Sequence, residues 1–206
     1  MRFFKIKEKL KDYAVFSLSD IRKLDKSKNI LRRMYEWQGK NYIRRICKTF
    51  YILNNLEINE QILFLIANKI YEPSYISLES ALNFYGLIPE LVPNITSVTT
   101  KKTQMFNTEK GSFIYKKIKL DLFFGYKLIR YENWEYKIAD LEKAILDFLY
   151  LNPSLKTESD FSELRIDKKT LRKQTNKKKF NLYLKQYDNK RLSNKLKIFL
   201  RSIDYA

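Results

Sequence analysis

The spacing of apolar residues changes once within residues 1–55, and that change limits the folds open to the chain. Phe3, Ile6, Leu10 and Tyr13 recur at helical intervals, with Lys5, Lys7, Lys9 and Lys11 on the other side, which predicts an amphipathic helix. Ser17 and Asp20 have the spacing of a capping box, and Ile21 and Leu24 form the buried side of the helix they open. The polar run Asp25-Lys26-Ser27 then turns the chain, with Ser27 the expected cap of a third helix from Lys28 to about Gln38. Ile30, Leu31, Met34 and Trp37 are its expected inward residues, and Gly39 stands where a helix-terminating glycine belongs. From Tyr42 to Leu53 strand formers take over on both sides of Lys48-Thr49, so a short hairpin is expected there.

Three helices followed by a basic hairpin is the order of a winged helix-turn-helix, whose third helix enters the major groove of double-stranded DNA. On that reading the exposed side of the third helix offers Lys28, Asn29, Arg32, Arg33 and Glu36, and Lys40, Arg44, Arg45 and Lys48 decorate the wing. An Arg can fork onto guanine and an Asn onto adenine, whereas wing cations hold phosphates and set register. Any surface helix carries such charges; the hairpin directly behind it is what points to DNA.

Charge is divided unevenly along the chain. Residues 1–55 hold fifteen Lys and Arg against five Asp and Glu, residues 56–155 eleven against twelve, and residues 156–206 fifteen against six. A neutral middle between two basic ends suits a protein that grips a polyanion with its ends. The competing explanation is solubility with a lysine-rich codon bias, which should not spare the middle. With no histidine at all, the commonest general base, the usual triads and most zinc sites are excluded. Neither a cofactor nor a metal is expected. The single Cys47 permits no internal disulfide. The N-terminal apolar residues are broken up by charge, unlike a signal peptide, and no apolar run is long enough for a membrane span. A cytoplasmic location and no membrane partner are therefore expected.

A boundary is expected near Asn54 to Asn59, giving one domain over residues 1–55 and a second over 56–206. Ser77 is the expected cap of a helix through Leu82, ended by Gly86. Strands are predicted over Ile95–Thr100, Thr103–Thr108, Ser112–Ile118, Leu122–Tyr131 and Trp134–Ile138, which reads as a mostly antiparallel sheet spanning about 95–138. Asp140 caps a helix carrying Leu141, Ala144, Ile145, Phe148 and Leu149. Two further apolar stripes, Phe180 to Tyr187 and Leu192 to Ile203, predict a helical C-terminal part. The fold class is thus α+β. Lys177, Lys178, Lys179, Lys185, Lys190 and Arg191, with Lys195 and Lys197, lie on the outside of those stripes. They are a solvated face, a second phosphate contact or a docking surface for an acidic partner.

The segment from Tyr75 to Leu82, then Tyr85-Gly86-Leu87-Ile88-Pro89-Glu90, resembles the opening of the second domain of the AbiEi antitoxin family. The likeness continues in order through Val98-Thr99-Thr100-Lys101-Lys102, Gly111 with Phe113 and Tyr115, Phe123-Phe124-Gly125-Tyr126, Ala139, Glu142-Lys143-Ala144 and Leu146-Asp147. The chain departs from the family pattern at Leu141, where a proline often stands, and in the glycine-free wing turn at Cys47-Lys48-Thr49. The resemblance implies an antitoxin that represses its own operon by binding operator DNA. It also implies a nucleotidyltransferase-like toxin as functional partner and a role in phage defence.

Two other readings stand beside it. Asp121 with Glu135 and Lys137 imitates the Asp, Glu-x-Lys set of metal-dependent nucleases, although Glu135 and Lys137 also fit one face of a plain hairpin. An interaction protein that docks a toxin through its basic faces, without specific DNA binding, also accommodates the charge.

Overall fold

The structure, a computed structural model, describes residues 3–89 and 93–203; Glu90, the last residue of one family-like motif, lies outside them. The chain begins with α1 (Phe3–Leu10), β1 (Phe16–Ser17), α2 (Leu18–Leu24), α3 (Ile30–Gly39), β2 (Ile43–Cys47) and β3 (Phe50–Leu53). The capping box is formed: the Ser17 hydroxyl accepts from the Asp20 N–H, and the Asp20 carboxylate accepts from the Ser17 N–H. Strand β1, too short for alternation to reveal, pairs with β3 and completes a three-stranded antiparallel sheet in the order β1-β3-β2.

Around α3 the local reading needs correction. The helix begins at Ile30 with Asn29 in the capping position, and Ser27 instead gives its N–H to the Asp25 carboxylate. The left-handed residue after α3 is Asn41, with φ 54°, rather than Gly39. Leu31 does not pack inward but is 51% exposed. Ile30, Met34 and Trp37 claim the inner face at spacings of four and three, and position 31 lies about 100° around the helix from position 30.

Phe3, Ile6, Leu10, Phe16 and Ile21 join Ile30, Met34 and Trp37 in one core. Ala14, Val15, Ile46 and Ile52 pack instead with a larger core that runs through the rest of the chain. The β2–β3 hairpin therefore stands between the two cores rather than projecting free.

The larger part contains α4 (Glu60–Ile70), β4 (Ser74–Ile76), α5 (Leu78–Phe84), β5 (Asn94–Thr99), β6 (Gln104–Thr108), β7 (Gly111–Lys117), β8 (Tyr126–Tyr131) and β9 (Trp134–Ala139). It closes with α6 (Leu141–Leu151), α7 (Glu158–Ser162), α8 (Lys168–Gln174), α9 (Lys177–Tyr187) and α10 (Lys190–Ser202). The sheet order is β6-β7-β5-β4-β9-β8. It is mixed: β4–β5, β6–β7 and β8–β9 are antiparallel, as expected for most of the sheet, while β5 runs parallel to β7 and β4 parallel to β9. Turn signals identify hairpins, whose strands are antiparallel by construction; the direction of strands paired across intervening chain carries no such signal. The strand expected over 122–131 is shortened to β8, because Leu120–Leu122 form a 3-10 turn and Gly125 adopts φ 71°.

Family-like residues that are scattered in sequence meet around one buried ion pair between Lys143 and Asp147 of α6, both with fully enclosed side chains. Tyr75 and Ser77 each donate to Asp147 Oδ2 at 2.9 Å, and Tyr187 of α9 donates to Asp147 Oδ1 at 2.5 Å. Lys143 Nζ also donates to the Tyr187 hydroxyl at 2.8 Å and lies 4.9 Å from the centre of the Phe124 ring. Ser77 thus occupies the capping position of α5 but spends its hydroxyl on Asp147. Gly125 is required where it stands: a Cβ there would meet Lys143 Cγ at 3.0 Å, in a left-handed backbone. Burial lowers the Lys143 ammonium and raises the Tyr75 and Tyr187 hydroxyls, with the Asp147 charge raising all three.

Candidate nucleic-acid interface

The capping box of α2 and the core face of α3 fix the orientation of the opposite α3 face. Lys28 and Asn29 are exposed in the turn before it, and Leu31 and Arg32, four and three residues before Tyr35, are exposed with Tyr35 on the helix itself. Arg32 is 82% exposed and its Nε donates to Glu36 at 3.1 Å. An exposed pair at this spacing is worth less than about 1 kcal/mol, so Glu36 holds Arg32 only weakly. Lys40 is also exposed, just past the end of α3.

Arg33 is differently placed. Its guanidinium donates to Asp25 Oδ2 at 2.6 Å and ties α3 to the turn that precedes it. Burial raises the Asp25 carboxyl, but the Ser27 N–H and the Arg33 charge outweigh this and hold it below its ordinary range. Asp20 is held low in the same sense, burial being overcome by Ser17 and the nearby lysines.

The basic residues of the β2–β3 hairpin are partly committed to the protein itself. Arg44 donates to the Leu56 carbonyl at 3.1 Å, and its enclosed Nε has no partner among the described residues. Arg45 is exposed, but its Nε donates to the Lys48 carbonyl at 2.5 Å and closes the glycine-free turn, in which Lys48 adopts φ 40°. The Lys48 ammonium sits 5.1 Å from the centre of the Phe106 ring on β6. The structure therefore gathers Lys28, Asn29, Arg32 and Lys40 at α3 and its ends and turns the tip of the β2–β3 hairpin toward the larger sheet.

At the other basic end, Lys177, Lys178, Lys185, Lys190 and Arg191 are exposed. Lys179 is not part of that surface, since it bridges Asp140 at 3.0 Å and Glu142 at 3.2 Å, and Lys195 donates to the Leu149 and Asn152 carbonyls at the end of α6. The nuclease-like residues also have structural surroundings: Glu135 lies opposite Arg130 in the β8–β9 pair, and Lys137 Nζ is 5.8 Å from the centre of the Tyr126 ring. Among the described residues, no group of three or more Asp, Glu, Cys or His could hold a metal, and no helix is long and apolar enough to cross a membrane.

Sequence reasoning missed Leu31 and Tyr35 as surface residues of α3. The signal was present, because Ile30, Met34 and Trp37 define an inner stripe that leaves 31 and 35 outside. No protein-family model matches the chain, and no curated protein matches it either.

Proposed function

We propose that this chain is a cytoplasmic, sequence-specific repressor of the AbiEi antitoxin type, with an N-terminal winged helix-turn-helix that binds operator DNA of its own operon. Its functional partner is then a nucleotidyltransferase-like toxin. The observation that carries the DNA-binding part is the α3 face: Arg32 stands exposed on a helix whose opposite side is locked into a core by Ile30, Met34 and Trp37, with Lys28 and Asn29 exposed in the turn that opens it. Such a helix presents a fork for guanine and an amide for adenine on a rigid support. Lys40 and Arg45 supply phosphate contacts, and the basic C-terminal helices add long-range attraction for the duplex.

The antitoxin part rests on the family-like motifs, and their convergence on the Lys143–Asp147 pair is in keeping with a second domain held by a specific internal network. A reporter gene behind the DNA upstream of this reading frame tests the repressor role. Expression should fall when the chain is supplied and recover with Arg32→Ala. Equal reporter output with and without the wild-type chain would contradict autorepression.

A further inference from the structure

Leu31 and Tyr35 are 51% and 73% exposed, one helical turn apart, with the Arg32 side chain beside them. Neither has a packing task within the described chain that would explain an apolar side chain at its position. Single exposed apolar residues are ordinary on a protein surface. Two of them on the helix face that also carries Arg32 are a matched set. We propose that Leu31 and Tyr35 read thymine, by pressing their apolar surfaces against C5-methyl groups in the major groove; this rests on the DNA-binding reading above.

Charge selects the occupant of this face. Arg22, Lys23, Lys26, Lys28, Arg32 and Lys40, on α2, α3 and the turns beside them, are exposed. The acidic groups nearby are engaged: Asp20 in the capping box, Asp25 with Arg33, and Glu36 with Arg32. A second copy of the chain docking here by two-fold symmetry would bring the same cations against each other. A duplex brings phosphates to the rim and bases to the centre. The thymine methyl is the apolar feature of the major groove, and aliphatic and aromatic side chains are the groups that recognise it.

The test starts from the full chain and a pool of random duplexes selected for binding at physiological salt. The preferred sequence is resynthesised with deoxyuridine replacing each thymidine in turn, which removes the methyl and leaves base pairing and the O4 acceptor intact. At one or two positions, uracil should weaken wild-type binding about fourfold, the effect of losing one buried methyl. At the position read by Leu31, Leu31→Ala should bind thymine and uracil equally, and Tyr35→Ala should do the same at a second position. Being exposed, both residues can be replaced without unfolding the chain, and circular dichroism checks this.

A strong selected sequence that tolerates uracil at every position would overturn thymine reading and leave the DNA-binding proposal standing. Failure to select any sequence would remove both. Sedimentation showing that Leu31→Ala and Tyr35→Ala turn a dimer into a monomer, with uracil discrimination unchanged, would reassign the face to contact between copies.

Discussion

Arg32 and Arg33 are neighbours in sequence with opposite tasks. The first is exposed with a weakly held partner, and the second is bound to a buried carboxylate. Arg33→Ala should destabilise the protein by about 1 to 3 kcal/mol, since Asp25 is left enclosed with part of its hydrogen bonding gone. Arg32→Ala should leave the melting temperature nearly unchanged and lower affinity for specific DNA, and thermal melts beside binding curves separate the two. Helical spacing placed both arginines away from the inner stripe, but nothing in the sequence pairs Arg33 with Asp25 across a turn. Asp20 and Asp25, both held below the ordinary carboxylate range, also set an acid limit. Their contribution is present above the unfolded carboxyl pKa of about 4 and is lost as pH falls through the lower folded values. Urea denaturation between pH 7 and pH 3 should show this loss, with a shallower slope in Asp25→Asn.

Elements of the larger part are joined through α6. Tyr75 lies in β4 and Ser77 caps α5, Phe124 and Gly125 precede β8, and Tyr187 ends α9; all meet the Lys143–Asp147 pair. Lys143→Met should cost about 3 to 5 kcal/mol by stranding a buried carboxylate, and adding Asp147→Leu should recover much of that loss. Chemical denaturation of the single and double variants checks both signs. Gly125→Ala should cost about 1 to 3 kcal/mol, because the new methyl meets Lys143 and the backbone is left-handed. All but Tyr187, which the sequence placed only in an apolar helical stripe, were legible as family-like motifs without a physical reason for their identity. The reason is a three-dimensional one, since each motif supplies one side of a polar network that exists only after the sheet and helices have packed.

For the whole molecule, the α+β class, the three helices with their hairpin, and the two C-terminal apolar stripes were readable from periodicity and caps. The mixed sheet was not, because β4 is only three residues long and its pairing with β9 spans more than sixty positions of intervening chain. Helices α7 and α8 are short and polar and give weak periodic signals. The uneven charge remains the feature most relevant to function at this scale. If six or more phosphates are contacted, specific affinity should fall on the order of a thousandfold between about 50 and 200 mM salt. Any chain with a net charge of +18 binds DNA at low salt, so affinity alone decides nothing. The central claim is tested most directly by a competition mobility shift at physiological salt, with the DNA upstream of this reading frame against a scrambled duplex of equal length. The account predicts that the upstream duplex is bound in preference and that Arg32→Ala abolishes the preference while retaining weak general binding. Equal binding of both duplexes by the wild-type chain would contradict it.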